Sequence, residues 1–566
     1  MDQDSIKNGG PEKDKYALAR RKRQEHTDAV MFSASNKKIV VGGPGTGKTH
    51  LFKSILKGKK KPITLTFVNA LVEDLSLDLC GLSEVKTLHS FARGELKRAT
   101  GKPVQVFPKL AKVITEDARI LLNEDIDFDY LFHNRDDGNK HIAFYKKRKT
   151  YYGHYGYSDV VFEAVKYFEH QDNRIPTYGQ IVVDEFQDFN ALEVSLIDVL
   201  AKKSPILVAG DDDQALYESL KSASSKHIRQ RFNEPTSGYA HFTLPHCSRC
   251  TRVIVEAFND IVTGATKDGH LTGRIPKPFE YFDDQGKDKD SEANPLLIYS
   301  QVYARQIPWF IQKHIAKTAE EVRGKFTVLI ICPTNTQCNS MVVALRRKGF
   351  QSVASVERKD AEEPTLLDGL KLLLEDDKCN LGWRITGRHV LAPAEFGALL
   401  KQSDKDSAGP LGGLIEAGRR KEVSQMLTVL RAVRDGRDTD EGALVELLKK
   451  IDRDAYGVAK DRLRENLRSD VPSVSNPGIR KTPITVTTLQ GAKGLDADYV
   501  FITHLDDQYF VKDKDKAKLC DQDICNFLVA LTRARKRVFL VPSNTTRTPT
   551  FLKWVNEKRI EHIEGT

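Results

Sequence analysis

The sequence has no apolar run of the roughly 20 residues that a bilayer span requires, and its N-terminal residues, Met1 to Gly10, are polar. We therefore expect no membrane segment and no secretory leader, and we predict a cytoplasmic protein. Cysteine is sparse, since 8 residues are scattered over a chain of 566. This excludes the dense disulfide framework of a small secreted domain. Cys247 and Cys250 form the only C-x-x-C pair, and we expect ordinary buried thiols there, with a metal site as the minor alternative.

Neither sign of charge dominates the sequence. It contains 88 Lys and Arg residues against 78 Asp and Glu residues, which gives a net charge of +10. This mildly basic balance permits binding to nucleic acid without proving it. With 40% hydrophobic residues the chain is neither fibrous nor disordered, and its length predicts about three to five domains.

Short apolar runs that end at polar or glycine-rich loops alternate with helical patterns along the chain. Because parallel strands connected by helices produce this alternation, the sequence predicts an α/β fold with ligand-binding loops at the carboxyl ends of the strands. The predicted strands are Ile39–Val41, Ile63–Phe67, Ile181–Val183 and Ile206–Ala209, and then Leu296–Tyr299, Phe326–Cys332, Ile484–Thr487, Tyr499–Ile502 and Val538–Val541.

Two stretches interrupt this rhythm. Residues 100–175 are rich in Tyr, Lys and His, and residues 361–477 are largely helical and charged. Each stretch predicts an insertion within a core. The predicted division is a tail at 1–14, a first parallel-sheet domain at 15–99 and 176–240 with its insertion at 100–175, and a second at 241–360 and 478–566 with its insertion at 361–477.

A phosphate-binding loop follows the first predicted strand. Residues 42–49 read GGPGTGKT, which matches G-x-x-x-x-G-K-[ST] between a strand and a helix. Glycines let backbone N–H groups surround phosphate oxygens, Lys48 supplies a positive charge to the β- and γ-phosphates, and the Thr49 hydroxyl can bind Mg²⁺. Alone, the motif indicates a P-loop nucleotide hydrolase or kinase. The residues predicted to hold the nucleotide are Gly43, Pro44, Gly45, Thr46, Gly47, Lys48 and Thr49.

Paired carboxylates follow another predicted strand. Asp184 and Glu185 come directly after Ile181–Val183. The first carboxylate can hold Mg²⁺ through the water shell of the ion, and the second can polarise the attacking water. The pair therefore favours hydrolysis of Mg²⁺-bound ATP over transfer of a phosphoryl group to a second substrate.

With these motifs in place, the sequence resembles the superfamily 1A helicases of the UvrD/Rep/PcrA type over nearly its whole length. Residues 184–188, DEFQD, are similar to the family's second motif, and residues 210–217, GDDDQALY, to its GDxxQ motif. The resemblance implies two RecA-like motor domains and a Gln214 that senses the γ-phosphate. Further residues resemble motifs that contact single-stranded DNA, namely Phe67, Asn69, Thr87, His89 and Tyr217.

Motifs in the second core continue the resemblance. Arg249 aligns with the motif IV arginine, and residues 488–496, TLQGAKGLD, are similar to THxAKGLE. Residues 530–534, ALTRA, resemble VAxTRA, whose arginine, here Arg533, reaches the γ-phosphate across the interface. The resemblance implies catalytic roles for Lys48, Asp184, Glu185, Gln214, Arg249 and Arg533, nucleotide contacts for Gln24 and Asp496, and DNA contacts for Thr488 and Lys493.

Four positions depart from the family pattern. The tyrosine that stacks on adenine is replaced by Ser248, which leaves Gln24 as the candidate adenine reader. A tryptophan that stacks on DNA is replaced by Ser219, which removes about 1–3 kcal/mol of base contact. Gln490 and Asp496 replace a histidine and a glutamate of motif V. The missing tryptophan argues against strong processive unwinding.

A basic and aromatic segment lies in the first predicted insertion. Residues 144–157 interleave Lys and Arg with Phe and Tyr, which suits binding to phosphates and base faces. Exposed charges beside core tyrosines explain the same pattern equally well. The sequence leaves both interpretations open.

The resemblance implies a Mg²⁺- and ATP-dependent 3′–5′ translocase or helicase that acts on single-stranded DNA and 3′-tailed duplexes. A second hypothesis is a DNA-sensing regulatory ATPase that controls a partner nuclease with little unwinding. It resembles the helicase subunit of anti-phage systems such as Gabija, where a UvrD-like protein accompanies an OLD-family nuclease. The compact chain and the missing tryptophan favour this hypothesis, whereas residues 184–188 and 210–214 disfavour an ordinary P-loop kinase.

Overall fold

A computed structural model shows an α/β protein built around two parallel sheets, as predicted. It describes residues 11–66, 69–215, 222–322, 324–356, 363–405, 409–437, 440–451, 481–511, 519–543 and 549–565, without side chains at 11–14 and 69–71. Among the helices of these residues, none has the length and apolarity that a bilayer span requires.

The first sheet has six parallel strands in the order β3-β2-β4-β5-β1-β6. Its central strands are short runs of Ile, Val and Leu that are buried on both faces, which is typical of a parallel sheet covered by helices. The strands are β1 (Lys37–Gly42), β2 (Ile63–Thr66), β3 (Glu84–Thr87), β4 (Ile181–Val183), β5 (Ile206–Gly210) and β6 (Ala240–Leu244).

Helices cover both faces of the first sheet. Leu51 and Phe52 of the helix after β1 pack against Val40 on one face, whereas Ile39 and Val41 face the opposite, larger core. The helices are α1 (Pro11–Phe32), α2 (Lys48–Leu56), α3 (Asn69–Asp78), α4 (Leu88–Thr100), α9 (Ala191–Leu200) and α10 (Lys226–Asn233).

A helical segment between β3 and β4 occupies the first predicted insertion. Its helices are amphipathic, and their apolar faces join the larger core of the first sheet. They are α5 (Leu110–Leu121), α6 (Phe128–His133), α7 (His141–Tyr152) and α8 (Tyr157–His170).

The second sheet has seven parallel strands in the order β11-β12-β10-β13-β14-β9-β15. They are β9 (Leu297–Tyr299), β10 (Val328–Cys332), β11 (Val353–Val356), β12 (Ile484–Thr488), β13 (Ala497–Thr503), β14 (Ala534–Val541) and β15 (Ile560–His562). A separate parallel pair, β7 (His246–Cys247) and β8 (Glu280–Tyr281), lies beside the phosphate-binding loop. The accompanying helices are α11 (Arg252–Lys267), α12 (Gln285–Ala293), α13 (Ile307–Glu321), α14 (Asn335–Arg347), α21 (Asp507–Phe510) and α22 (Asp521–Leu531).

A second helical segment, between β11 and β12, packs on the first one. Its helices are α15 (Leu366–Glu375), α16 (Asn380–Val390), α17 (Pro393–Ser403), α18 (Leu411–Leu414), α19 (Ala417–Arg434) and α20 (Glu441–Ile451). Leu370 and Trp383 belong to the same apolar cluster as Phe128 and Val113 of the first segment. The two segments therefore share one core.

A buried ion cluster also joins the two segments. Asp117 of α5 accepts hydrogen bonds from Arg148 Nε at 2.9 Å, from the Tyr152 hydroxyl at 2.6 Å, and from Arg384 Nε and Nη2 at 2.9 and 2.7 Å. Arg148 also donates to Ser403 Oγ at 3.2 Å. Asp117 is fully buried, and both guanidinium groups share its negative charge.

The predicted strands form in both sheets, and the basic segment packs mainly inward. Tyr145, Arg148 and Tyr152 are buried, and Lys149 pairs with Asp159 at 3.3 Å. For these residues the interpretation as core tyrosines with paired charges fits the structure better than a DNA-binding surface. The predicted domain limits stay a prediction.

Candidate functional site

The phosphate-binding loop connects β1 to α2 with the backbone that its glycines permit. Gly45 and Gly47 have φ of 69° and 93°, in the left-handed region that favours glycine. Thr46 Oγ1 donates to the Gly43 carbonyl at 2.9 Å, which closes the loop. Lys48 begins α2, and its Nζ donates to the Gly42 carbonyl at 3.0 Å. The ammonium group therefore lies against the phosphate-binding loop.

The paired carboxylates lie at the carboxyl end of β4, on a strained turn. Glu185 has φ 54° and ψ 40°, which is uncommon for a residue with a side chain. Asp184 Oδ1 accepts from the Glu185 N–H at 2.9 Å, and Glu185 Oε2 accepts from Gln187 Nε2 at 2.5 Å. Gln187 Oε1 accepts from the Asp211 N–H at 3.0 Å, so the amide fixes Glu185 to the end of the neighbouring strand.

The two carboxylates have opposite protonation tendencies. Burial, together with the charge of Glu185, raises the pKa of Asp184 to about 7. Burial also opposes ionisation of Glu185, but the positive charges of Lys493 and Lys48 outweigh it and lower its pKa to about 2. Glu185 is therefore ionised at neutral pH. Asp184 is buried, and a bound cation would stabilise its ionised form.

Two basic residues from loops of the second sheet contact the carboxylate side of the first. Lys493 Nζ donates to the Gln214 carbonyl at 2.9 Å, pairs closely with Asp188, and lies 3.5 Å from Glu185 Oε2. Arg533 Nη2 donates to Gln214 Oε1 at 3.1 Å. Burial lowers the pKa of Arg533 to about 10, which leaves it charged at neutral pH. The structure thus brings Lys493, Arg533, Glu185 and Gln214 together.

The loop after β7 also contacts the phosphate-binding loop. The Ser248 N–H donates to the Gly45 carbonyl at 3.0 Å. A Cβ on Gly45 would lie 2.3 Å from Arg249 Cβ, which shows how closely the two loops approach. Arg249 Nε lies 3.3 Å from Asp496 Oδ2, and Arg535 pairs with the same carboxylate. Asp496 therefore orients two arginines at the cleft.

An acidic cluster follows β5 and pairs with two basic residues from the loop before β8. Asp211, Asp212 and Asp213 are buried, and their carboxylates lie close enough together to suit a metal ion. Lys277 Nζ pairs with all three, at 2.9, 2.5 and 2.8 Å. Arg274 adds a second cation, 2.8 Å from Asp213 Oδ1. Sequence patterns could not identify these two partners, because no motif marks residues 274 or 277.

The phosphate-binding loop, Asp184, Glu185 and Arg533 line one cleft of about 460 Å³. Its walls come from both sheets, since Gly494 and Asp496 also line it. The residues fit a Mg²⁺-bound nucleotide, because a buried carboxylate with a raised pKa and the Thr49 hydroxyl face the same space as Lys48. These oxygens are the ligand type that Mg²⁺ prefers.

Gln24 does not reach the cleft. Its exposed side chain donates to Asp28 Oδ1 at 2.8 Å, one turn along α1. The geometry therefore does not support Gln24 as the adenine reader. Its neighbour Arg23 faces Gly47 instead, and the sequence interpretation missed it.

The residues predicted to contact DNA are only partly covered by the structure. Phe67, Tyr217 and the departure at Ser219 lie outside the described residues, as does the side chain of Asn69. Thr87 caps α4 by accepting from the Ser90 N–H at 3.1 Å. The half-buried ring of His89 lies 5.0 Å from that of Tyr157, between centroids.

Two residues of the second sheet, Thr488 and Lys493, were also predicted to contact DNA. Thr488 ends β12, and its Oγ1 accepts from the Gly491 N–H at 3.3 Å. Lys493 is buried between the sheets, so the geometry gives no support to its predicted DNA contact. Its observed partners belong to the nucleotide cleft instead.

Comparisons with known proteins agree with this architecture. A family model for an AAA domain matches residues 26–220, and a model for the UvrD-like helicase C-terminal domain matches residues 416–545. A probable DNA helicase II homologue of Mycoplasma genitalium is 20% identical over 463 residues, which cover 73% of this chain and 62% of that protein. The ATP-dependent DNA helicase PcrA of Staphylococcus epidermidis is 22% identical over 447 residues, which cover 69% of this chain and 59% of that protein.

The chain spans about three fifths of the length of these curated relatives. Its fold and site define a P-loop protein whose nucleotide cleft lies between two parallel α/β sheets. The two family models and the two relatives show that the chain is similar to helicases of the UvrD/PcrA type.

Proposed function

We propose that the protein is a DNA-stimulated ATPase that moves 3′ to 5′ along single-stranded DNA and opens 3′-tailed duplexes. One observation carries this proposal: Lys493 and Arg533 of the second sheet reach Glu185 and Gln214 in the cleft lined by the phosphate-binding loop. A nucleotide held from both sides links its hydrolysis to the opening and closing of the sheets. The polarity and the DNA substrates are inferred from the resemblance and from the names of the relatives.

The phosphate end of the nucleotide is held by positively charged groups and backbone N–H donors. Lys48 and the N–H groups of the loop bind the β- and γ-phosphates. Asp184 and Thr49 would hold Mg²⁺, which neutralises charge on the phosphates. Arg533 forks onto the γ-phosphate, because its guanidinium is charged and already lies beside Gln214.

Glu185 orients the attacking water. Because its pKa is held near 2, it remains an acceptor across the physiological range, and Gln187 fixes its direction. Gln214 links this chemistry to the second sheet, since its side chain accepts from Arg533 and its carbonyl accepts from Lys493. Loss of the γ-phosphate would therefore alter contacts that join the sheets.

The second candidate function is a DNA-sensing ATPase that controls a partner nuclease. The shared core of the two helical segments and the buried Asp117 cluster favour it, because segments joined in this way suit a fixed platform for a DNA end. A processive motor requires larger movements of its parts relative to each other than a fixed platform does. Anti-phage defence would be the biological setting of this candidate.

The test combines ATPase and strand-displacement assays on the full chain. Single-stranded DNA should stimulate ATP hydrolysis, and 3′-tailed duplexes should be opened in preference to 5′-tailed and blunt ones. Lys48→Ala protein is the matched control for contaminating ATPase. Stimulated hydrolysis without strand displacement would favour the DNA-sensing candidate, and hydrolysis that ignores DNA would contradict both.

A further inference from the structure

Asp211 connects Lys277 to two residues of the nucleotide cleft. It lies directly after β5 and is fully buried. Asp211 Oδ1 lies 2.9 Å from Lys277 Nζ, and Asp211 Oδ2 accepts from Gln214 Nε2 at 2.6 Å. Gln214 Oε1 in turn accepts from Arg533 Nη2 at 3.1 Å. One line of contacts therefore joins Lys277, in the loop before β8, to an arginine that lines the cleft.

Each hydrogen bond along this line has a fixed direction. The ammonium group of Lys277 and the guanidinium group of Arg533 can only donate, whereas an ionised carboxylate can only accept. Gln214 must therefore present its amide oxygen to Arg533 and its amide nitrogen to Asp211. If Asp211 lost its charge or its position, the amide of Gln214 would lose the acceptor that fixes this orientation.

Lys277 is the cation that contacts Asp211. Among the residues that the structure describes, it alone forms an ion pair with this carboxylate. Burial opposes the charge of Asp211, but the positive charges of Lys277 and Lys48 outweigh it and lower the pKa of Asp211. The N–H of Asp213 also donates to Asp211 Oδ1, at 3.2 Å, and it carries no charge. Lys277 therefore stabilises the ionised carboxylate that the amide of Gln214 requires.

The acidic cluster contains as many cations as carboxylates. Lys277 is 3% exposed and lies between all three aspartates. Arg274 pairs with Asp213 at 2.8 Å and, within the described part of the chain, with no other carboxylate. Removing Arg274 therefore leaves the contact between Lys277 and Asp211 in place. The carboxylates are those of Asp211, Asp212 and Asp213, and the cations are Lys277, Arg274 and Arg229.

We propose that Lys277 is a positioning residue for ATP hydrolysis, which acts through Asp211 to orient the amide of Gln214. This inference rests on the proposed function and deepens it. In that orientation the amide oxygen faces Arg533, which binds the γ-phosphate in the proposed function. Lys277 does not line the cleft, so its loss should leave ATP binding nearly unchanged. Hydrolysis should slow, because a group misplaced beside the reacting atoms costs up to about 10²-fold in rate.

The test measures kcat and KM for ATP, with single-stranded DNA present, in double variants of the full chain that keep the charges of the cluster balanced. Lys277→Met with Asp213→Asn removes the contact to Asp211. Arg274→Met with Asp213→Asn is the matched control, because it keeps that contact. We expect kcat to fall about 10- to 100-fold in the Lys277 variant with KM nearly unchanged, and to stay near the wild-type value in the Arg274 variant.

A third variant, Asp211→Asn with Arg274→Met, cuts the same line from the other side and is also balanced in charge. Asparagine has one side-chain oxygen, so Lys277 and Gln214 cannot both keep the oxygen that they contact, and the same loss of kcat is expected. Because this variant retains Lys277, it tests the inference even if the Lys277 variant does not fold.

Equal kcat in the Lys277 and Arg274 variants would overturn the inference. Normal kcat in the Asp211 variant would also overturn it, and so would a rise in KM alone, since that result would place Lys277 at the nucleotide. In each of these cases the wild-type chain still shows DNA-stimulated hydrolysis, so the proposed function stands. A wild-type chain whose hydrolysis ignores DNA would overturn the proposed function and this inference together.

Discussion

Removing the charge of Asp117 should loosen the two helical segments from each other. Asp117 is fully buried and is the shared acceptor of Arg148 and Arg384, with N–O distances of 2.7–2.9 Å. Burial opposes the charge of Arg384, and Asp117 outweighs it, so the pKa of Arg384 stays above its ordinary value. Asp117→Asn keeps the shape of the side chain and removes the buried negative charge that the two guanidinium groups share, which leaves Arg384 with only the rim carboxylate of Glu116 at 2.9 Å among the described residues.

Loss of one partner of a buried ion pair costs about 3–5 kcal/mol. Amides of α5, α7 and α16 that exchange by opening of this interface should therefore exchange roughly 10²- to 10⁴-fold faster in Asp117→Asn. Glu116→Gln is the matched control, because the neighbouring Glu116 is 26% exposed and pairs with Arg384 Nη1 at 2.9 Å from the rim. It should cost less than Asp117→Asn, because Asp117 still neutralises the buried Arg384 in this variant.

Hydrogen exchange followed by mass spectrometry on the whole chain provides the assay. It reports each segment separately, which a single melting temperature of a multidomain protein does not. Equal protection of these helices in Asp117→Asn and Glu116→Gln would refute the reasoning, because the buried cluster would then contribute no more than its rim.

Further substitutions test the site and the surface. Lys48→Ala should abolish ATP turnover in folded protein, and robust residual hydrolysis would contradict the assignment of the loop. Glu185→Gln should bind Mg²⁺ and ATP but hydrolyse about 10²- to 10⁴-fold more slowly, and near-normal turnover would place the water-orienting group elsewhere. Joint replacement of Lys146 and Lys147 by Ala should flatten the salt dependence of single-strand binding by about 0.7 per lost phosphate contact. An unchanged slope would show that neither lysine contacts a phosphate and would favour a structural role for their ion pairs with Glu163 and Asp404.

The sequence predicted the strands whose residues are buried on both faces and missed half-polar edge strands. Uninterrupted runs such as Ile181–Val183 carry a strong signal, whereas β3, at an edge of the first sheet, and β15, at an edge of the second, are mainly exposed or half-buried. These edge strands contain few buried residues, so their sequences lack the uninterrupted apolar run that identifies a central strand.

The candidate site was predictable where a local motif places residues on one loop. The phosphate-binding loop and Asp184 with Glu185 are of this kind. Lys277 is not, because it lies 64 positions from its nearest acidic partner, Asp213, and only the packed chain brings them together. Gln24 and Arg23 differ by one position on a helix, about 100° of rotation, which spacing alone could not resolve.

The most direct test of the central claim, that two sheets complete one ATP site, is DNA-stimulated ATPase activity of Arg533→Ala. Arginines supplied across an interface contribute on the order of 10³ to 10⁵ in rate in other nucleotide hydrolases. Arg537→Ala is the matched control, because Arg537 Nη2 donates to the Ala293 carbonyl at 3.1 Å, away from the cleft-lining residues. We predict that Arg533→Ala loses stimulated turnover by about that factor while single-strand affinity stays near the wild-type value and Arg537→Ala keeps both. Normal stimulated turnover in Arg533→Ala would contradict a site shared between the two sheets.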